Sequence, residues 1–157
     1  MELAGDDRGI LRRLDARFEL ETSLQELVGA TRQAIADATD FDEREINYNF
    51  DYDYAAYGEV KRNLGRLIDL GQLRLAMELS RELMDQGSHQ VEMSDEGLMT
   101  HDIEGCLQVV VQALPKSDVL PGEIVAWCKA MIASDRVGCI YDRELRALQR
   151  QFQAPGS

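Results

Sequence analysis

The sequence contains few of the residues that build turn-rich sheets, disulfide frameworks or membrane spans. Its 157 residues include 3 prolines, 3 cysteines and 6% aromatic residues. This composition argues against a β-sandwich, and an odd number of cysteines without a C-x-x-C pair cannot close a disulfide framework. No stretch approaches the roughly 18 apolar residues of a transmembrane helix, and the amino end lacks the layout of a signal peptide. We therefore expect a cytoplasmic chain with reduced thiols and one hydrophobic core.

Motifs that carry catalysis or metal binding are also absent from the sequence. It contains no P-loop, dinucleotide-binding, metalloprotease or nucleophile-elbow pattern. The nearest mixed pair of metal-ligand types, His101 and Cys106, is five residues apart, which places the two side chains on different sides of a helix. An EF-hand loop starting at Asp51 would need glycine and glutamate where Ala56 and Arg62 stand. We expect no cofactor, no metal site and no catalytic residue.

Basic residues are scarce relative to acidic ones. Seventeen Lys and Arg against 29 Asp and Glu give a net charge of −12, which repels nucleic-acid backbones and anionic lipid surfaces. Seven of the acids lie within residues 37–53, and seven more within residues 82–115, where no Lys or Arg occurs. Each zone has two interpretations, a solvated face or a docking surface for a basic partner. We expect a protein partner, with a basic one favoured, and no direct binding to nucleic acid or membrane.

The most unusual segment combines acidic and aromatic residues. Six of the ten aromatic residues lie within residues 41–57, and over residues 47–54 aromatic and polar residues alternate at period two, as on one side of an extended chain. One interpretation is that the aromatics pack a long connection against the helices. The other is a recognition strip, because tyrosine offers a large contact area and a hydroxyl. The candidate partner-binding residues are Tyr48, Phe50, Asp51, Tyr52 and Asp53.

Apolar residues elsewhere recur at the 3.6-residue period of amphipathic helices. The pattern predicts a short helix over residues 6–19, a second one capped at Thr22 or Ser23, and a hairpin over residues 54–86 that turns at Gly71 and ends at Gly87. Helices beginning at Ser94, Pro121 and Asp142 follow.

The whole pattern predicts an all-α chain of about six principal helices. We expect stacked antiparallel hairpins, an α-solenoid of the tetratricopeptide or HEAT kind. Residues 1–153 are expected to form one helical domain, followed by a frayed tail at residues 154–157. Residues central to their apolar stripes are expected to share one core: Leu64, Leu67, Leu83, Ile103, Leu107, Val110 and Trp127.

A family resemblance covers about residues 30–114. The run Tyr-Ala-Ala-Tyr-Gly-Glu-Val from Tyr54, the run Leu-Gly-Arg-Leu-Ile-Asp-Leu-Gly-Gln from Leu64 and the aliphatic helix from Met77 resemble the helical region found with SWIM-type zinc modules in bacterial proteins of unknown function. The resemblance implies an α-solenoid-like scaffold without a known reaction. The SWIM signature itself, C-x-C followed by C-x-H, is missing, so zinc binding is not carried over.

These observations favour a non-catalytic helical interaction module that binds another macromolecule through an acidic, aromatic surface. An acidic inhibitor or nucleic-acid-mimicking regulator is the alternative, because the net charge of −12 would serve either role. An enzyme without a recognisable motif is the second alternative.

Overall fold

Six α-helices make up most of the chain in the computed structural model, which describes residues 2–40, 53–94 and 97–153, with side chains in the first helix described from residue 21 onward. The helices are α1 (Glu2–Thr39), α2 (Tyr54–Asp69), α3 (Leu73–Met93), α4 (Thr100–Ala113), α5 (Pro121–Ser134) and α6 (Asp142–Phe152), with a 3₁₀ turn at Leu114–Lys116. The prediction of an all-α fold with six helices is confirmed.

Helices α1, α3 and α5 form one layer of parallel helices. Arg32 of α1 lies beside Glu82 of α3, and further along, the Thr39 hydroxyl donates to the Gln86 side chain at 3.3 Å. Between α3 and α5, the Trp127 indole N–H donates to the Met77 carbonyl at 2.9 Å, and further along both helices the Ser88 hydroxyl donates to the Ser134 carbonyl at 3.1 Å. The two helices of each pair therefore run in the same direction.

Helices α2, α4 and α6 form the second layer. The Cys106 thiol of α4 donates to the Tyr57 carbonyl of α2 at 3.4 Å, and Glu104 of α4 accepts from the backbone N–H of Tyr141, next to the start of α6. Among the described residues, substantial contacts join helices that are one or two places apart in chain order. This two-layer arrangement is the stacked-hairpin architecture that the periodicity predicts.

The predicted turn at Gly71 is confirmed. Gly71 has a φ of 74°, which glycine adopts without steric cost. Its N–H donates to the Ile68 carbonyl at 3.0 Å, and the Gln72 N–H donates to the Leu67 carbonyl at 2.8 Å. These two hydrogen bonds form a Schellman motif, which ends α2 and starts the return of the chain as α3.

The predicted break near Thr22 and Ser23 is wrong, because α1 is continuous from Glu2 to Thr39. Serine or threonine acts as an N-cap only where a helix begins. No proline or glycine near Thr22 and Ser23 interrupts the helix there. Once residues 24–38 are fixed against α2 and α3, extension of the helix needs no new nucleation.

Two further boundaries also differ from the prediction. Helix α3 runs past Gly87 to Met93, so the polar connection expected after Gly87 is helical. Helix α4 begins at Thr100 instead of Ser94. The Ser94 side chain does accept a backbone N–H, but the donor is Gly97, at 3.0 Å, within the turn that precedes α4.

Gly87 lies inside α3 because α4 approaches it closely. A Cβ at this position would lie 2.9 Å from Cδ1 and 3.3 Å from Cγ1 of Ile103, and Ile103 is fully buried. We expect Gly87→Val to lower the free energy of unfolding by about 1–3 kcal/mol relative to Gly29→Val, through overpacking. Gly29 is the matched control, since nothing lies within 4 Å of a Cβ there.

Urea unfolding of both variants checks this prediction. The double variant Gly87→Val with Ile103→Val should recover part of the loss, because it removes the methyl group nearest the new side chain. Equal stabilities of Gly87→Val and Gly29→Val would contradict the account.

The predicted core is confirmed. All seven predicted residues are at most 5% exposed and belong to one buried cluster. Cys106 and Cys128 lie in the same cluster, as their apolar surroundings in the sequence suggest. Tyr54, which continues the apolar stripe of α2 in the sequence, lies outside the core and is 72% exposed.

A buried hydrogen-bond network ties the carboxyl end of α1 to the start of α2. The Tyr57 hydroxyl donates to Oε1 of Gln90 on α3. Gln90 donates in turn to the carbonyls of Ala38 at 3.0 Å and Asp40 at 3.3 Å. The chain therefore leaves α1 and enters α2 from positions fixed by α3.

Candidate partner-binding groove

Four of the five predicted partner-binding residues lie outside the part of the chain that the structure describes. They are Tyr48, Phe50, Asp51 and Tyr52. Asp53 is exposed and forms the N-cap of α2, where its Oδ1 accepts from the Ala56 N–H at 2.9 Å. Its carboxylate thus has a structural role at the point where the acidic, aromatic segment joins the helical stack.

The cap at Asp53 gives a testable prediction. Asp53→Ala should lower the free energy of unfolding by about 1 kcal/mol, because the Ala56 N–H loses its acceptor. Asp53→Asn should leave stability nearly unchanged, since asparagine caps as well as aspartate does. Thermal unfolding of the two variants checks this, and equal losses for both would show that the charge of Asp53 matters instead of the cap.

The two tyrosines of α2 have different environments. Tyr57 is 1% exposed and belongs to the core, whereas Tyr54 is 72% exposed. The packing interpretation of the aromatic segment therefore holds for Tyr57 and not for Tyr54, and the recognition interpretation stays a prediction. Tyr54 presents its ring on the surface directly beside Asp53.

A groove opens beside Tyr54, between the amino-terminal halves of α2 and α4 and the start of α6. Its volume is about 420 Å³, within the range of ligand-binding clefts. We call it the acidic groove, and it is lined by Tyr54, Tyr57, Gly58, Lys61, His101, Asp102, Glu104, Gly105, Cys106, Gln108, Tyr141 and Glu144.

Carboxylates outnumber Lys and Arg side chains in the lining of the acidic groove. Asp102, Glu104 and Glu144 face a single lysine, Lys61. Burial raises the pKa of the Tyr141 phenol above its ordinary value, and the nearby charges of Glu144 and Glu104 raise it further. Tyr141 therefore stays neutral and able to donate a hydrogen bond at physiological pH.

The acids of the α1, α3 and α5 layer are arranged differently. Glu82 pairs with Arg32 at 3.2 Å, and Asp85 pairs with Arg136 at 3.6 Å. These pairs connect α3 to α1 and to the α5–α6 connection. The acidic zone at residues 82–115 is therefore split, because its first acids join helices whereas Asp102 and Glu104 line the groove.

The loop before α6 holds Tyr141 at the groove. Tyr141 has a φ of 56°, in the left-handed region that bulky residues rarely adopt. Its N–H donates to Oε2 of Glu104 at 2.9 Å, and the preceding N–H, of Ile140, donates to Asp135 at 2.8 Å. Asp135 also accepts from Val137 and Gly138 at 3.0 Å. These bonds maintain a strained conformation, of the kind found at functional sites.

Glycines leave the space between α2 and α4 open. A Cβ at Gly65 or Gly105 would have nothing within 4 Å, and one at Gly58 would meet only Nη1 of Arg62 at 3.8 Å. Glycine inside a helix costs roughly 0.5–1 kcal/mol relative to alanine. Packing within the described residues does not require these three glycines. Gly58 and Gly105 line the acidic groove, where the lack of a side chain leaves space for an occupant.

Cys106 lines the acidic groove but is not a plausible nucleophile. Burial raises the pKa of its thiol to about 12, and the charge of Asp102 adds to the effect. A thiol with this pKa carries almost no thiolate at neutral pH. Among the described residues, no group of three or more His, Cys, Asp and Glu side chains is arranged to hold a metal ion.

No family model, curated protein or solved structure matches the chain. The resemblance to the helical region of SWIM-type proteins therefore stays a prediction. Within the described helices, none is long and apolar enough to cross a bilayer.

Most of this groove has no signal in the sequence. Tyr54 and Tyr57 belong to the aromatic segment, and Asp102 and Glu104 lie in the second acidic zone, but no pattern predicts that the two sets meet. Tyr141 and Glu144 are some forty residues beyond Asp102 in the sequence and reach the groove through the stacking of α6 beside α4. No local pattern reveals such a meeting of three helices.

Proposed function

We propose that the chain is a non-catalytic helical interaction module that binds a basic segment of a protein partner. The binding surface consists of the acidic groove and the adjoining acidic, aromatic residues Tyr48, Phe50, Asp51, Tyr52 and Asp53. Three free thiols are in keeping with a cytoplasmic setting for this binding.

The observation that carries the proposal is the convergence of exposed and half-buried tyrosine and carboxylate side chains on one concave surface. Tyr54, Asp102, Glu104, Tyr141 and Glu144 come from three different helices or their ends. Carboxylates attract Lys and Arg side chains, and tyrosine rings add cation–π contacts with the same groups. Two-layer helical stacks present such surfaces in many interaction modules.

The test begins with affinity capture from the native host at low and at moderate salt. A partner held through exposed charges should be released as ionic strength rises. The affinity of the captured partner is then measured for the parent chain and for the double variant Tyr48→Ala with Tyr52→Ala.

We expect the affinity to fall more than tenfold, about 1.4 kcal/mol, while the unfolding midpoint hardly moves. Tyr54→Ala should behave in the same way, because its ring is exposed. Glu59→Gln is the matched control, an exposed acid of α2 that does not line the groove. Capture of no partner, together with a destabilised double variant, would contradict the proposal and leave the packing interpretation.

A further inference from the structure

We infer that the groove between α2 and α4 takes a partner segment that is cationic at one end and anionic at the other. The inference rests on the proposed function, because it assigns the charge pattern of the segment that the acidic groove would bind. It derives from a second cavity that continues along α2.

This second cavity, the basic groove, has a volume of about 440 Å³ and is lined by Lys61, Arg62, Gly65, Arg66, Asp69 and Val109. Lys61 lines both grooves, so the two follow each other along the same pair of helices. Three cations face one carboxylate here, the reverse of the balance in the acidic groove.

The cations of the basic groove are available to a partner. Lys61, Arg62 and Arg66 form no ion pair with another described residue, whereas Arg32, Arg74 and Arg136 all do. Arg143, Arg146 and Arg150 of α6 also form no such pair among the described residues. What sets Lys61, Arg62 and Arg66 apart is that they line one cavity, directly next to the acidic groove. The position of Lys61, Arg62 and Arg66 indicates that the occupant carries an anionic group here. Its cationic group lies at the other end, where the carboxylates of the acidic groove attract it.

The dimensions of the combined groove fit a peptide segment. From Gly58 to Asp69 the helix advances about 17 Å, the length of about 11 helical residues. Gly58, Gly65 and Gly105 line this path, and the open space above Gly65 and Gly105 lets an occupant approach the helices closely. We assign the occupant as a segment of a partner protein and not as a small molecule, because the charges extend over this whole length.

Three synthetic peptides of about 12 residues test the inference with the full chain. The block peptide has a run of lysines followed by a run of glutamates, the alternating peptide has the same composition in alternating order, and the third is all lysine. Fluorescence anisotropy of labelled peptides gives each affinity. We expect the block peptide to bind about fivefold more tightly than the alternating one, since two or three additional surface ion pairs form.

Two variants locate the effect. Arg62→Glu with Arg66→Glu should abolish the advantage of the block peptide, whereas Arg81→Glu, an exposed arginine of α3 outside both grooves, should leave it intact. Gly65→Leu should weaken binding of the block peptide at least fivefold without any change of charge, because the side chain fills open space in the basic groove. Gly29→Leu, on α1, is its control.

The outcomes separate the two proposals. Equal binding of the block and alternating peptides, with the all-lysine peptide bound and unaffected by the arginine reversals, would overturn the two-ended groove and leave the proposed function standing. Binding of none of the three peptides would overturn both. If the chain alone sediments as a dimer that the arginine reversals dissociate, the occupant is a second copy, and the assignment to a partner protein is wrong.

Discussion

Truncation of Leu83 to alanine is expected to lower the free energy of unfolding by about 2–5 kcal/mol. Leu83 is fully buried at the middle of α3, the helix that contacts α1, α2, α4 and α5. Removal of its side chain would leave a cavity bordered by both layers, which the surrounding helices can close only in part. Urea unfolding followed by circular dichroism measures the change.

Leu120→Ala is the matched control for this prediction. Leu120 is 62% exposed, so the same chemical change should alter stability by no more than about 0.5 kcal/mol. A loss under 1 kcal/mol for Leu83→Ala, or equal losses for both variants, would show that α3 is not the centre of the core.

Alkaline pH is expected to destabilise the chain through Cys106. Burial raises the pKa of this thiol from 9.0 to about 12 in the folded state, whereas in the unfolded chain it ionises near its ordinary value. The folded state therefore disfavours the thiolate. The neutral thiol contributes about 4 kcal/mol of stability that is fully present below pH 9 and is lost as the pH rises through 12.

Urea unfolding at several values from pH 8 to pH 11 tests this expectation. In Cys106→Ala the loss of stability over this range should be clearly smaller than in the parent chain. Cys139→Ala should follow the parent chain, because Cys139 is exposed. Parallel pH profiles for the parent and Cys106→Ala would contradict a buried, neutral Cys106.

The core could be predicted from the sequence because apolar periodicity reflects the same burial that the fold achieves. Leu64, Ile103 and Val110 each stand at the centre of a 3.6-residue stripe, and each is buried. Gly71 was predictable for a local reason, since glycine between two apolar stripes accepts the left-handed conformation that commonly ends a helix.

Helix boundaries that depend on tertiary contacts were not predictable in this way. Gly87 has the sequence signature of a helix end, yet it lies inside α3 where Ile103 approaches. The N-cap signal at Ser94 is used in a turn several residues before α4 begins. The same residue types occur at helix caps, in turns and at close contacts between helices. The position of the neighbouring helix determines which of these structures forms.

Only the residue types of the candidate site could be predicted from the sequence. Acidic and tyrosine residues are concentrated in the sequence near the start of α2, and Tyr54 and Asp53 are exposed there. The groove itself could not be predicted, because this concave surface depends on the registry of α2, α4 and α6. Tyr141 helps to form one wall of the groove and has a left-handed conformation. Glycine or asparagine would signal this conformation in a sequence, and neither stands at position 141.

Chemical-shift mapping with a cationic peptide tests the central claim most directly. The ¹⁵N-labelled full chain would be titrated with the all-lysine peptide while backbone amide signals are followed. The α3 face that carries Glu78, Glu82 and Asp85 provides an internal control, because its carboxylates pair with Arg32 and Arg136 and lie in the other layer. We predict that the largest shifts fall on residues 54–61, 101–108 and 141–144. Equal shifts on the α3 face, or shifts spread evenly over all acidic surfaces, would contradict a specific docking groove.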